Sequence, residues 1–494
     1  MKASLIKVAI SLLSAAYGLF GMGVLLLKSV TGGFFFRRHS KQEIQEVGAG
    51  FPVTALDRFW NLSKTWAGYS HGFVSLRDGF KFHYVTNDPV NHGDDGNTDA
   101  GEAKKAKPLV VLIHGFPDSW VIWRHLLQPH PLRDKATLVA VDLPGYGGSD
   151  RLSFYSATQV LELLTEFIIV MRERCHIDRP VDGTTTPERV IIVGHDVGCV
   201  LATRLAAEAS ELADRFILVN GPLIPLVESN VRRLLSSSLK MFRLFLNAPW
   251  QHRSMLRKAI CTVKPVLEQC LRAGFIFTYQ LPRPLVYYLC TANNLAVLRS
   301  SHRAEHGEVV QYTICDAAEA LAATVGPAAE QRATWTKSGE RYSEPTARER
   351  PYEGIMQMTR YFSDGTVRDP WQKSAETVAA LHSLRRGNEL GRRSSSAAVF
   401  DDGPPGALRA RSTIVWGLKD RTFHRQICLD GIRDYLVSNS QVILLPRSGH
   451  SPQIESESRI ALRKVIEWAV MGEKGDVGDA AQKAYSGAVV SVRT

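Results

Sequence analysis

With 494 residues, 45% of them hydrophobic and 22% charged, the chain has the composition of a packed globular protein and room for one large domain with an insertion or two modest ones. Its formal charge of +11 is spread along the sequence without a dense basic run or an RNA-module signature, which sets nucleic acid aside and leaves a solvated basic surface or attraction to anionic lipid headgroups. The seven cysteines (175, 199, 261, 270, 290, 315 and 428) are odd in number and show no C-x-x-C spacing, which excludes a disulfide framework and a zinc site and points to a reducing compartment.

Residues 8–27 run for 20 positions without a charge between Lys7 and Lys28. At about 1.5 Å per residue such a helix spans a hydrocarbon core of about 30 Å. The run ends in Leu-Leu-Leu-Lys-Ser-Val, a poor cleavage site, so an uncleaved single-pass anchor over residues 1–30 is expected. Lys28, Arg37, Arg38 and Lys41 outnumber Lys2 and Lys7, which places the following domain in the cytosol, at the endoplasmic reticulum membrane. The triplet Asn61-Leu62-Ser63 fits a glycosylation sequon and points the other way.

Short β-prone runs at 72–76 and 80–85 flank an Arg77-Asp78-Gly79 turn, and residues 91–107 read as an exposed loop. Apolar runs then recur at 108–113, 137–141, 189–193, 216–219, 413–416 and 442–445, with helix-like stretches such as 158–174 and 199–212 between several of them. Continuous apolar strands alternating with helices predict an α/β protein whose mainly parallel sheet is covered on both faces. The core is expected in two parts, 31–220 and 412–471. Between them, 221–411 reads as an inserted helical cap ending in a flexible connection over about 373–411, rich in Ser, Gly, Arg and Pro. Helical spacing returns at 460–470, and 472–494 reads as a flexible tail.

Gly194-His195-Asp196-Val197-Gly198 follows the 189–193 strand directly and precedes a helical run. This is the strand–nucleophile–helix elbow of an α/β hydrolase, whose strained turn leaves no room for side chains at the flanking glycines. Its central residue is an aspartate. A carboxylate with an ordinary pKa of about 4 is ionised at neutral pH and attacks without a base. On an acyl carbon it would give an unstable anhydride; on an sp³ carbon it gives an ordinary ester. The substrates indicated are therefore epoxides or alkyl halides.

His114-Gly115-Phe116-Pro117-Asp118-Ser119-Trp120 follows the 108–113 strand, where this fold offers backbone N–H groups to an oxyanion. Taken with DLPGYGGSD at 142–150 and the GHDVG elbow, the chain resembles the epoxide hydrolases over about 70–220 and 410–470, and loosely over the cap. The resemblance implies an α/β-hydrolase fold with an inserted cap, and an oxyanion hole from the backbone N–H groups of Phe116 and Val197. It also implies a cis bond before Pro117, with His114, Gly115, Pro117, Gly194 and Gly198 supporting the motifs. The acid it implies is Asp420, in Trp416-Gly417-Leu418-Lys419-Asp420, and the histidine is His450, in Ser448-Gly449-His450-Ser451-Pro452, singled out by position from 15 histidines. His450, oriented by Asp420, would deprotonate the water that cleaves the alkyl ester on Asp196.

An opening epoxide leaves an alkoxide that needs an acidic donor, a role suited to phenols. Seven tyrosines (279, 287, 288, 312, 342, 352 and 361) lie in the cap. Phe277-Thr278-Tyr279-Gln280-Leu281 and residues 354–362 (GIMQMTRYF) resemble the family's cap motifs, which implies Tyr279 and Tyr361 as the donors, with Tyr287, Tyr288 and Tyr352 in reserve. Dehalogenases of this build usually carry Trp immediately after the nucleophile, and epoxide hydrolases often carry an aromatic there; Val197 departs from both patterns but removes a halide donor, which favours an epoxide, and the expected anchor suggests a small lipophilic one. A dehalogenase, a non-catalytic binder of hydrophobic ligands and an Asp-initiated epoxide cyclisation remain as alternatives. No metal or organic cofactor is implied.

Overall fold

The computed structural model describes residues 12–24, 27, 51–88, 106–178, 187–286, 314–348, 353–391 and 403–494. At its centre lies one nine-stranded sheet in the order β1-β2-β4-β3-β5-β6-β7-β8-β9. β1 (Ser70–Ser75) and β2 (Lys81–Thr86) pair antiparallel, and β2 pairs antiparallel with β4 (Thr137–Val141). From β4 the sheet runs parallel through β3 (Leu109–Ile113), β5 (Val190–His195), β6 (Arg215–Val219), β7 (Ser412–Gly417) and β8 (Gln441–Leu445). Every residue of these parallel strands is buried, which is why their sequences are unbroken apolar runs rather than alternating ones.

Alternate side chains of β3 divide between two cores. Leu109, Val111 and Ile113 pack with α2 (Ala157–Arg174) and α3 (Val197–Glu208). Val110 and Leu112 pack with α1 (Phe51–Trp60), α9 (Ser456–Val470) and α10 (Val477–Ala484). The insertion supplies α4 (Ile224–Asn247), α5 (Arg253–Arg272), α6 (Ile314–Val325), α7 (Glu353–Ser363) and α8 (Ala375–Gly391). Not all of it lies over the cap side. Ala318 and Ala322 of α6 join the second core, where the Ala322 carbonyl accepts the Trp60 indole N–H at 2.8 Å.

Two expectations about the chain's connections need correction. Residues 472–494 are not a loose tail: α10 buries Val477 and Ala481, and β9 (Val489–Arg493) adds antiparallel to β8. The short VVSVR run has the β-branched side chains an edge strand favours, and the Tyr485 hydroxyl accepts the Arg447 N–H at 2.7 Å. Within 373–411, α8 replaces much of the flexible connection; Glu162 accepts from the hydroxyls of Ser374 and Thr377 at its start, both at 2.6 Å, and Leu381 is buried. Residues 392–402 lie outside the described residues.

The anchor expected over 8–27 also falls partly outside them. Residues 12–24 are helical, and among the described residues no helix is long and apolar enough to cross a membrane. One side of this stretch rests on the cap, where the Tyr17 hydroxyl donates to the Cys270 carbonyl at 2.9 Å and the Tyr17 ring meets Phe277 edge-on.

Candidate active site

The parallel strands deliver their following loops to one edge, and the strand order reverses at β3, where a crevice opens in sheets of this kind. His114 follows β3, Asp196 follows β5, Asn220 follows β6, Asp420 follows β7 and His450 follows β8. Residues far apart in sequence therefore meet at the carboxyl ends of neighbouring strands.

Asp196 sits at the N-terminus of α3 with φ 51° and ψ −117°, a left-handed backbone that a non-glycine residue adopts only under constraint. The constraint is close packing. A Cβ on Gly194 would stand 2.5 Å from the Gly198 carbonyl oxygen, and one on Gly198 2.3 Å from that of His114, so neither position accepts a side chain.

The Phe116 N–H donates to Asp196 Oδ1 at 3.0 Å, and the Val197 N–H also hydrogen-bonds this carboxylate. Both expected backbone donors thus converge on the Asp196 carboxylate. The Phe116–Pro117 bond is cis. His114 supports the loop: its Nδ1 faces the Gly115 carbonyl at 2.8 Å, and its Nε2 accepts the Leu143 N–H at 3.0 Å.

His450 Nε2 stands 3.7 Å from Asp196 Oδ2, while His450 Nδ1 lies 3.0 Å from Asp420 Oδ2. Asp420 is anchored on every side. Its Oδ1 accepts the N–H groups of Thr422 and Phe423 at 2.7 and 2.9 Å, and its Oδ2 also accepts the Asn220 amide at 2.7 Å. Asn220 in turn accepts the Gly417 N–H at 3.0 Å. Sequence reasoning missed Asn220; its signal was an Asn-Gly pair closing the β6 strand. The His450 loop is held by Glu455, which accepts the Ser448 hydroxyl and the Gly449 N–H, both at 2.7 Å.

Electrostatics separate the two carboxylates. Burial raises the pKa of Asp196 above the ordinary carboxylate range, against the opposing pull of His450 and the two N–H donors. Burial also pushes Asp420 upward, but His450, Asn220 and the Phe423 N–H overcome it and hold this carboxyl below its usual value. A third carboxyl, Asp118, is pushed up to about 7 by burial, with Arg124 opposing and the Asp196 charge adding to the rise.

The two cap tyrosines differ. The Tyr279 ring packs edge-on against Phe116, 5.3 Å between centroids, and so borders the site. Tyr361 is fully buried and its hydroxyl donates to the Pro144 carbonyl at 2.9 Å, with Tyr146 and Tyr155 against its ring. That phenol is engaged by the core, and its neighbour Phe362 meets Phe116 instead, 5.1 Å away. A helix presents adjacent residues on different faces, so Tyr361 turns into the core while Phe362 meets Phe116. Tyr146, in the DLPGYGGSD loop, was missed: it packs on His114, its buried hydroxyl has no partner among the described residues, and the Asp196 charge contributes to raising its pKa. Tyr287, Tyr288, Tyr312 and Tyr352 lie outside the described residues.

Among the described residues one trio could hold a metal ion, His125, Asp316 and Glu319, and Glu319 is already paired with Arg58 and Arg124.

A family described as alpha/beta hydrolase fold matches residues 108–254. Epoxide hydrolase 3 of Xenopus tropicalis is 31% identical over 156 residues, covering 31% of this chain and 34% of that protein. Human epoxide hydrolase 4 is 27% identical over 183 residues, covering 37% of this chain and 43% of that protein. Epoxide hydrolase B of Mycobacterium tuberculosis (strain ATCC 25618 / H37Rv) is 34% identical over 99 residues, covering 20% and 24%. Each of these matches spans less than half the length of the relative. Sheet order and family match together identify this chain as a protein of the α/β-hydrolase fold.

Proposed function

We propose that this protein hydrolyses epoxides to vicinal diols through an alkyl ester on Asp196. The observation that carries the proposal is a carboxylate at the elbow, with Oδ1 on the Phe116 N–H at 3.0 Å and Oδ2 facing His450 Nε2 at 3.7 Å. Oδ2 attacks an epoxide carbon, the C–O bond of the ring breaks, and a phenol gives its proton to the alkoxide. Tyr279, beside Phe116, is the donor we favour, and Tyr146 is a second candidate because its hydroxyl is unengaged among the described residues. His450, oriented by Asp420, then takes a proton from water as the water adds to the ester carbonyl carbon. The oxyanion forms where the N–H groups of Phe116 and Val197 already point, each worth on the order of 3 kcal/mol in comparable sites. Collapse breaks the acyl C–O bond; the departing alkoxide takes the proton held by His450, freeing the diol, and the proton left on the Asp196 carboxyl returns to the phenolate, restoring both groups. Relatives named epoxide hydrolases support this substrate class. A halide is less well served, because the Val197 side chain carries no donor.

Isotope labelling separates this route from direct hydration. In a single turnover in ¹⁸O-water, the new diol oxygen comes from Asp196 and is unlabelled, while the label enters the carboxylate. A labelled diol in the first turnover overturns the ester route. We also propose that residues 8–27 tie the chain to a membrane, so the full-length protein stays in the pellet after an alkaline carbonate wash; free extraction contradicts that.

A further inference from the structure

The cap carries a second feature, remote from the chemistry. α4 and α5 form an antiparallel hairpin joined by residues 248–252, with the Ser238 hydroxyl donating to the Ala259 carbonyl at 2.9 Å. A soluble helical hairpin ordinarily turns its apolar residues inward. Here Leu235, Leu239, Phe242 and Leu246, spaced 4, 3 and 4 apart on one stripe of α4, are 40–55% exposed. On α5, Ile260, Leu267 and Leu271 form a second exposed stripe, and Trp250 at the tip is 82% exposed. Isolated exposed apolar residues need no account, but contiguous ones mark an interaction surface.

Charge selects the partner. From 224 to 272 the hairpin holds nine Lys and Arg against two Glu, so it supplies +7 of the chain's +11. Arg253, Arg257 and Lys264 lie at helical spacing on the same stripe as Ile260, Leu267 and Leu271. Lys240, Arg243, Arg257 and Lys258 are exposed, and among the described residues no ion pair engages them. The guanidinium of Arg253 stacks on the Trp250 ring at 4.6 Å, which pairs an aromatic body with a cation at the tip. Apolar stripes interleaved with cations and ending in Trp match the headgroup–acyl boundary of an anionic bilayer, where each basic residue and each buried ring gains.

We infer that the α4–α5 hairpin docks on an anionic membrane surface, with Trp250 and the Leu235–Leu246 stripe in the interface, independently of any anchor at residues 8–27. The base of the hairpin is tied to the acid loop, since Arg272 donates to the carbonyls of Asp420 and Phe423 at 2.9 and 3.2 Å. Docking therefore sets the candidate site beside the bilayer.

The test uses the full chain with vesicles whose acyl chains are brominated, either pure phosphatidylcholine or containing about 30% phosphatidylserine. The contribution of Trp250 is the difference between the wild type and Trp250→Phe. Quenching of that contribution is expected, at least twofold stronger with phosphatidylserine, and lost in the combined variant Leu239→Glu/Phe242→Glu/Leu246→Glu, whose sites are exposed and whose fold is checked by its melting curve. An unquenched Trp250 overturns the proposal, as does an unchanged signal in the combined variant. Equal quenching in both vesicles removes the role of charge and overturns the choice of an anionic surface. Crosslinking between copies through the hairpin, with Trp250 shielded from lipid, assigns the face to a second copy of this chain instead.

Discussion

Asp420→Asn should separate the two half-reactions of the proposed ester route. The carboxylate now accepts four hydrogen bonds, two on Oδ1 from Thr422 and Phe423 N–H and two on Oδ2 from Asn220 and His450. An amide has one acceptor oxygen. If it keeps the two backbone N–H groups, its NH₂ faces His450 Nδ1 and the Asn220 NH₂. His450 must then accept at Nδ1 and carry its proton on Nε2, the nitrogen that faces Asp196 Oδ2, and it can no longer take a proton from water. In a Ser-His-Asp triad the same change costs about 10⁴-fold, so ester hydrolysis is expected to slow by about 10³- to 10⁴-fold, or about 4–5.5 kcal/mol. Alkylation needs no base and should change by less than about 10-fold. The opposed NH₂ groups cost stability as well, about 1–3 kcal/mol, which a melting curve measures. Rapid-quench sampling with intact-protein mass spectrometry follows both steps. Ester hydrolysis within about 10-fold of the wild type would refute the assignment of Asp420.

The cap tyrosines should part company. Tyr279→Phe is expected to slow alkylation by about 10- to 1000-fold, whereas Tyr361→Phe, which leaves the Pro144 carbonyl buried without its donor, should chiefly lower stability by about 1–3 kcal/mol; equal alkylation defects in both would return Tyr361 to the site. In a His450→Gln background the alkylation rate should fall as pH drops through a carboxyl pKa above the ordinary range, because burial raises Asp196 and only its anion attacks; a profile flat to about pH 4 contradicts this. Burial pushes the Asp118 pKa up to about 7, so between the unfolded and folded values the folded state binds the extra proton and stability declines as pH rises. Asp118→Asn should therefore raise the melting temperature at pH 8, by at most about 4 kcal/mol of stability, with the gain vanishing near pH 4; a loss of stability at pH 8 counts against it.

Much of this was legible in sequence for definite reasons. Parallel strands buried on both faces must be continuous apolar runs, so β3 to β8 stood out, and Gly194 and Gly198 marked a turn that tolerates no Cβ. Asp420 and His450 came from the resemblance to the epoxide hydrolases, in the motifs that follow β7 and β8, and strand ends share one edge of the sheet. What escaped depended on tertiary contact. β9 alternates exposed and half-buried residues, so VVSVR carried little hydrophobic signal until paired with β8. α1 and α6 hold each other through contacts such as Trp60 to Ala322, a pairing across 262 positions of sequence. Whether Tyr361 or Phe362 faces the site depends on the rotation of α7, which the motif does not encode.

The central claim is the covalent bond to Asp196. His450→Gln enzyme, mixed with a styrene-oxide-like epoxide, should gain the mass of one substrate, and peptide mapping should place it on Asp196. Asp196→Ala should form no adduct and turn over nothing. A His450→Gln enzyme that never gains mass, together with an Asp196→Ala enzyme that still makes diol, would contradict the account.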